Sequence, residues 1–480
     1  MQLSGLLLEN FKRFEQVSVD LSSGITVLLG PNSSGKSSLL KALLAIKQTA
    51  SVSNENEALA TQGEYVDLGV YRDYIYNHEI NRRVTIALGL KINETVASTY
   101  MGPGTDFGLK ITLGHDHVTE QARVFEIYLY NYHEPAEPLA AITKKKTRET
   151  FSLRVSALSA ARMARFLPKS VEQSVEAWQK GISLRIDDRY KFSPDKMLPQ
   201  VNAENSPSRL FGGYPSTFVG NTIESMLRML DRDIFYIGPL RRSPSRSYGR
   251  TGHLLSVGAS GEHTPSVLAN LKARASKERS VERLQTNRLL QLREWVAKLF
   301  PGKSVDATRL DELVKLMIGR DSGGAEAISD VGFGISQALP ILVQAAVMPD
   351  GSTLILEQPE LHLHPSAQTK LSEVIAEASN SGRRFIVETH SEHFVRGLQL
   401  AISNRRARKR NSSQISREDV KFIYVPAAPA SPMLMEVNEW GEFEKEWPKG
   451  FFDEAYRLAM SLLENKMRVQ STEAAKEGTE

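Results

Sequence analysis

The sequence predicts an α/β fold with a mixed, largely parallel core sheet, and three observations carry that prediction. Ile25 to Leu29 is a short, fully apolar run, followed by a glycine-bearing turn and a helical pattern with Leu39, Leu40, Leu43 and Leu44 on one face. Thr353 to Leu356 and Arg384 to Val387 read as two further buried strands, with a helical face of Leu371, Val374, Ile375 and Ala378 between them. Strands that alternate with helices place the helices against a parallel sheet.

The remaining elements follow in order. Leu6 to Leu8, with Phe11 and Phe14, read as a first strand and its turn. Val84 to Val155 holds strand-like runs at Val84 to Leu90, Leu109 to Leu113 and Phe125 to Tyr130, which predict an antiparallel β arm. The Ser/Pro-punctuated stretch after it predicts an inserted helical lid. Ile234 to Ile237 is another short strand, and Leu292, Trp295, Val296 and Leu299 have helical spacing. The expected organisation is an N-terminal lobe over 1–155, a lid over 156–233, a C-terminal lobe over 234–467 and a flexible tail over 468–480. No long heptad run occurs, so no coiled coil is expected.

With 480 residues the chain suffices for one large domain with insertions or for two domains. Absence of cysteine excludes disulfides, thiolate metal sites and cysteine nucleophiles. Met1 to Phe14 mixes apolar and charged side chains and lacks the pattern of a signal peptide. No apolar run reaches the ~18 residues of a membrane helix, so a cytoplasmic protein without membrane contact is expected. The net charge of +4 does not by itself argue for nucleic acid.

The strongest chemical signal is Gly30-Pro31-Asn32-Ser33-Ser34-Gly35-Lys36-Ser37-Ser38. It fits the phosphate-loop pattern GxxxxGK[ST], after a strand and before a helix. Its glycines let backbone N–H groups face phosphate oxygens, and the helix N-terminus adds a favourable dipole. Lys36 is expected on the β- and γ-phosphates of ATP and Ser37 on Mg²⁺. Thr353-Leu354-Ile355-Leu356-Glu357 has the form of a Walker B strand, whose acid would hold Mg²⁺. Here that acid is Glu357, one methylene longer than the usual Asp. A third strand ends in Glu388-Thr389-His390-Ser391, where His390 would meet a γ-phosphate or the attacking water; the alternative is a structural histidine. Gly332-Phe333-Gly334-Ile335-Ser336 opens an apolar helix, as an anion site or as a plain helix cap.

Together these elements resemble the ABC-type ATPase heads of the SMC, RecF and OLD kind. The phrases Glu357-Gln358-Pro359-Glu360-Leu361-His362-Leu363-His364-Pro365 and Trp447-Pro448-Lys449-Gly450-Phe451-Phe452-Asp453-Glu454 look like a prokaryotic branch of head-only ATPases without coiled coils. Gly63-Glu64-Tyr65-Val66-Asp67-Leu68-Gly69 and Gly238-Pro239-Leu240-Arg241 look like the same branch. Members of such branches serve in antiphage systems, such as Septu-type or PARIS-type pairs with a nuclease or toxin. The resemblance implies a homodimer that sandwiches ATP; higher assemblies built from such dimers through the inserted region stay open. Gly332, Phe333, Gly334 and Ser336 would then face the partner's nucleotide, although the serine is displaced from the common Leu-Ser-Gly-Gly-Gln pattern. Gln62 is the candidate magnesium-sensing glutamine, and Arg13 the candidate contact to phosphate or base.

One departure bears on rate. The residue after the Walker B acid is normally Glu, and here it is Gln358. An amide positions a water but cannot take its proton, and loss of a general base costs roughly 10²–10⁴-fold. Glu360 would substitute if the loop turns, and slow hydrolysis is the expectation.

Asn404 to Arg410, Lys144 to Lys146 with Arg148, and Arg241, Arg242, Arg246 and Arg250 form basic clusters that would neutralise DNA, RNA or tRNA phosphates; each is equally a solvated loop or a surface for an acidic partner. His362 and His364 could ligate a metal, but their place after Walker B fits a dimer-contact loop more simply. With no nuclease-like acidic cluster in the chain, any cleavage is expected from a separate effector. The readings that remain are a regulatory ATPase of an antiphage complex, a RecF-like DNA-binding ATPase of repair or recombination, and a scaffold that binds ATP structurally.

Overall fold

The computed structural model describes residues 2–51, 57–92, 105–118, 120–131, 138–144, 151–155, 183–185, 214–252, 254–276, 280–409, 412–427, 430–447 and 460–463. Most of the expected lid, the tail, Lys145, Lys146, Arg148, Arg410 and the segment after Trp447 through Glu454 lie outside these residues.

The centre is a six-stranded sheet. Its order is β10 (Ile234–Ile237), β15 (Thr353–Glu357), β16 (Arg384–Glu388), β3 (Ile25–Leu29), β17 (Val420–Tyr424) and β18 (Met433–Met435). All pairings are parallel except β17 with β18. The expected α/β class with a mixed, largely parallel core sheet is the one observed. Strands covered on both faces must be apolar throughout, which explains the fully buried Ile-Thr-Val-Leu-Leu of β3.

Alternation along these strands sorts their side chains into two cores. Leu28, Ile355, Ile386 and Ile423 point into one, together with Leu39, Leu40, Leu43 and Leu44 of helix α1 (Lys36–Ser51). Helix α2 (Tyr214–Asp233) supplies Ile223, Met226 and Leu227 to the same core. Val27, Leu354, Leu356, Phe385, Val387 and Phe422 point into the other. That second core is closed by α3 (Thr264–Ala275), α4 (Ser280–Leu299), α5 (Phe333–Val347), α6 (Pro365–Asn380) and α7 (Glu392–Arg406). Helix α5 buries 13 of its 15 residues, so it is a core helix rather than a one-sided surface helix. The faces read from the sequence on α4 and α6 are the buried ones.

The first core is capped by an antiparallel sheet of eight strands among the described residues. It begins with the hairpin β1 (Gln2–Phe11) and β2 (Phe14–Asp20). It continues through β4 (Val84–Lys91), β5 (Asp106–His115), β6 (Ala122–Asn131), β7 (Ala140–Lys144), β8 (Phe151–Val155) and β9 (Ser183–Arg185). This is the expected β arm, and one strand of the inserted segment joins its edge. A small sheet of β11 (Tyr248–Gly249), β12 (Lys303–Leu310), β13 (Leu313–Arg320) and β14 (Ala325–Ala327) packs against α3 and α4. The β12–β13 hairpin is not among the elements the sequence pattern predicts. No long coiled coil occurs among the described residues.

Candidate nucleotide site

The C-terminal ends of β3, β15 and β16 meet at one edge of the central sheet, and the candidate residues gather there. The phosphate loop leaves β3 at Gly30, whose φ of 140° is open to glycine but not to residues with a Cβ. A Cβ there would lie 2.2 Å from the Val425 carbonyl oxygen. Gly35 has φ 97°, and a Cβ on it would lie 2.5 Å from Cδ of Arg13. The loop is therefore packed from outside, and its wrap requires both glycines. Arg13 donates to the carbonyls of Ser33 at 2.9 Å and Ala427 at 2.7 Å. In this structure it clamps the loop from behind. Pro31 is half-buried, Asn32 and Ser33 are exposed, and Ser38 donates its N–H back to Gly35 as the helix begins.

Lys36 is buried, and its ammonium donates to the carbonyls of Gly30 at 2.9 Å and Pro31 at 2.8 Å. Burial lowers its pKa. A buried cation hydrogen-bonded only to neutral carbonyls, with the Glu388 charge nearby, is suited to an incoming anion. Ser34 is fully buried with no partner for its hydroxyl.

The next residue, Ser37, donates to Oε1 of Glu388 at 2.9 Å. Glu388 and Glu357 are in register on adjacent parallel strands, so their side chains leave the sheet on the same side. Burial, then the charge of Glu357, pushes the Glu388 carboxyl up to about 7. Glu357 is raised too, by burial, while the Tyr236 hydroxyl donates to its Oε1 at 3.0 Å. A buried and a half-buried carboxylate beside a hydroxyl form a set of hard oxygen donors that suits a divalent cation such as Mg²⁺. Glu388 Oε2, buried and unpartnered, fits that reading.

After β15 the chain turns sharply. Gln358 takes φ 44° and donates its N–H to the Glu388 carbonyl at 2.8 Å. The turn is closed by Leu361 N–H to the Gln358 carbonyl and Leu363 N–H to the Glu360 carbonyl. It brings Glu360 to the end of β16, where its Oε1 accepts the His390 N–H at 2.8 Å. Its Oε2 is buried without a partner, and burial raises its pKa. His390 is half-buried, its pKa lowered by burial and then by Lys36. Lys36, Ser37, Glu357, Glu360, Glu388 and His390 thus converge.

Three other candidates are placed differently. Gln62 is exposed in a turn that pairs it with Asp67, and Gln48 of α1 clamps that turn through Ala60, Tyr65 and Val66. Gly332 and Phe333 are exposed at the start of α5, with the Phe333 ring against His362 at 5.0 Å. Ser336 is buried one turn on, and its hydroxyl donates to the Phe333 carbonyl at 2.7 Å. Gly334 is held under the His362 carbonyl, 3.1 Å from where a Cβ would stand. The exposed part of this turn is therefore Gly332–Phe333 and not the serine. His364 caps α6, accepting from Ser366.

Sequence reasoning missed Glu388, Tyr236 and the place of Arg241. The signal for Glu388 was an acid at the end of a third apolar strand; Tyr236 carried none. Arg241 is buried and donates to the carbonyls of Glu357 and Gln358, both at 3.2 Å. It therefore leaves the basic cluster to which the sequence assigned it, because a guanidinium enclosed by the site cannot reach an external phosphate.

With the phosphate loop, acidic strand and third strand assembled on one edge, comparison with known proteins is informative. Residues 25–396 match the family described as "AAA domain, putative AbiEii toxin, Type IV TA system". The chain belongs to this AAA-domain family. It is similar to the DNA replication and repair protein RecF of Staphylococcus epidermidis, 33% identical over 70 residues, covering 14% of this chain and 19% of that one. Against RecF of Chlorobium luteolum it is 40% identical over 67 residues, 14% of this chain and 18% of the relative. The chain thus spans about a fifth of the length of these curated relatives. Among solved structures it is similar to the SMC head domain of Thermotoga maritima at 14% identity, covering 91% of this chain and all of that one, with a TM-score of 0.38. The Pyrococcus furiosus Smc head with an extended coiled coil, bound to the C-terminal domain of ScpA, is 12% identical over 97% of this chain and 99% of that one, with a TM-score of 0.41. As an AAA-domain chain, it carries its nucleotide-binding loop at the carboxyl edge of a parallel sheet. No helix among the described residues is long and apolar enough to cross a membrane.

Proposed function

We propose that this protein binds ATP with Mg²⁺, hydrolyses it slowly, and uses the bound state to regulate a separate effector, a nuclease or toxin, in an antiphage defence complex. The observation that carries slow hydrolysis is the pair Gln358 and Glu360. The residue directly after Glu357 is an amide, which cannot accept a proton, while the nearest further carboxylate is buried under the His390 N–H. Membership of an AAA family described by toxin–antitoxin terms supports the defence role.

In this reading the loop N–H groups and Lys36 hold the β- and γ-phosphates. Ser37, Glu357 and Glu388 hold the metal, which supplies charge neutralisation on the transferring phosphoryl group. His390 and Glu360 orient the water, and Glu360 receives its proton. Two copies pair face to face, with Gly332–Phe333 of each presented to the other's nucleotide.

Turnover of Mg²⁺–ATP by the purified chain tests the enzymology. We expect a rate well below the enzyme median of ~10 s⁻¹, lowered a further ~10²–10⁴-fold in Glu360→Gln. A rate at or above that median overturns the slow-hydrolysis reading. Copurification with the products of adjacent genes, followed by mass analysis, tests the regulatory role; recovery of this chain alone counts against it.

The second reading is a RecF-like DNA-binding ATPase. It is favoured by the RecF similarity and by Arg405, Arg408 and Lys409, all exposed beyond the end of α7 or in its last turn.

A further inference from the structure

The Gly238-Pro239-Leu240-Arg241 segment follows edge strand β10 and carries Arg241 across the end of β15. Only Nη2 of its guanidinium is paired, donating to the Glu357 and Gln358 carbonyls. Nε and Nη1 are buried without partners. Oε2 of Glu360, on the same turn, is buried without a partner too, and Glu360 is the main charge that favours the protonated arginine. Buried polar atoms are nearly always satisfied, so unpaired donors on Arg241 and an unpaired acceptor on the turn it holds call for a reason. Burial pulls the guanidinium down to about 10, yet it stays charged at neutral pH. One guanidinium nitrogen shared between two consecutive carbonyls ties the Glu357 and Gln358 peptides together.

We propose that Arg241 is the positioning residue that selects Glu360 for hydrolysis. It pins the Glu357–Gln358 peptides so that the following turn presents the Glu360 carboxylate. Gln358 leaves the base position vacant, and Arg241 is the device that lets a residue two places further on fill it. This inference rests on the ATPase reading above.

The first test needs no nucleotide. Arg241→Met is expected to speed hydrogen exchange at the amides of Gln358, Leu361 and Leu363, which close the turn, at least tenfold. The amide of Thr389, bonded to Leu28 across the sheet, should be unaffected. Unchanged exchange at the turn overturns the proposal, whether or not turnover is measurable. Exchange rising equally at Thr389 overturns it too, because the arginine would then be a general structural prop. The second test separates binding from chemistry. Arg241→Met should leave the Kd for a fluorescent ATP analogue with Mg²⁺ within about twofold and lower kcat by about 10²-fold, the cost of a misplaced catalytic group. Arg241→Lys should recover part of that loss, and it serves as the test variant if Arg241→Met does not fold. Arg241→Met with Glu360→Gln should be no slower than Glu360→Gln alone, as for groups that act as a unit. Multiplying losses, or affinity falling together with kcat, overturns the proposal. A wild-type chain with no turnover sinks the ATPase reading, and the exchange test then judges the hold of Arg241 on the turn by itself.

Discussion

Replacing Glu388 by Gln should make the nucleotide-free protein less sensitive to pH. Glu388 sits in register with Glu357 on the neighbouring strand, and burial together with that neighbour raises its carboxyl from 4.5 to about 7. A raised acid is protonated in the fold at pH values where the unfolded chain has released the proton. Its contribution is fully present below 4.5 and is lost as pH rises through 7. A rise of about 2.5 pH units at ~1.36 kcal/mol each is about 3 kcal/mol, most of it lost between about pH 5 and 8. The amide that replaces the carboxyl keeps an oxygen for the Ser37 hydroxyl and carries no charge. Denaturant midpoints measured with EDTA across that pH range should therefore fall for wild type relative to Glu388→Gln, by about 2–3 kcal/mol in all. Glu357 and Glu360 titrate in both proteins, and their coupling to Glu388 is already part of its raised carboxyl. Adding Mg²⁺ and ATP at the alkaline end should restore wild type and do little for the variant, which lacks a metal-binding carboxylate. Parallel pH curves would refute the view that these two neighbouring carboxylates are coupled, and equal rescue by magnesium would refute their role as its ligands.

Three further outcomes are expected. Gly30→Ala places a Cβ against the Val425 carbonyl at a φ that L-residues avoid; it should lower stability by about 1–3 kcal/mol and abolish nucleotide binding, and calorimetry showing a wild-type isotherm would count against the loop geometry. Tyr236→Phe removes the hydroxyl on Glu357; a hydrogen bond to a charged group is worth about 1.5–3 kcal/mol, so ATP affinity should weaken roughly tenfold with Mg²⁺ and hardly at all in EDTA, and equal losses in both would contradict the assigned role. Changing Arg405, Arg408 and Lys409 together to Ala should flatten the salt dependence of any DNA binding by up to ~0.9 log unit for each phosphate no longer neutralised; an unaltered slope in a filter-binding titration would dismiss this surface.

Much of the fold and part of the site were legible in the residues. The phosphate loop is a local device: strand, glycines, lysine, serine and helix are consecutive, so their spacing alone predicts their geometry. Apolar runs marked β3, β15 and β16 because strands buried on both faces have no polar positions to spare. Helical spacing marked the buried faces of α4 and α6 for the same reason. The hairpin of β12 and β13 escaped because its exposed face carries charges that dilute the apolar pattern.

What the linear chain determined was the chemistry available: a lysine and serine after a glycine turn, an acid after an apolar strand, and an amide where a second acid usually stands. Which groups meet was decided only in three dimensions. Strand order put Glu388 beside Glu357 and Tyr236 on the far flank, although 121 residues separate the tyrosine from the acid it holds. Burial turned Arg241 from an apparent surface cation into a bridge over the turn after β15, and it turned Ser336 inward. The physical reason is that pairing across a sheet and exclusion of water depend on neighbours distant in sequence, and no local pattern encodes them.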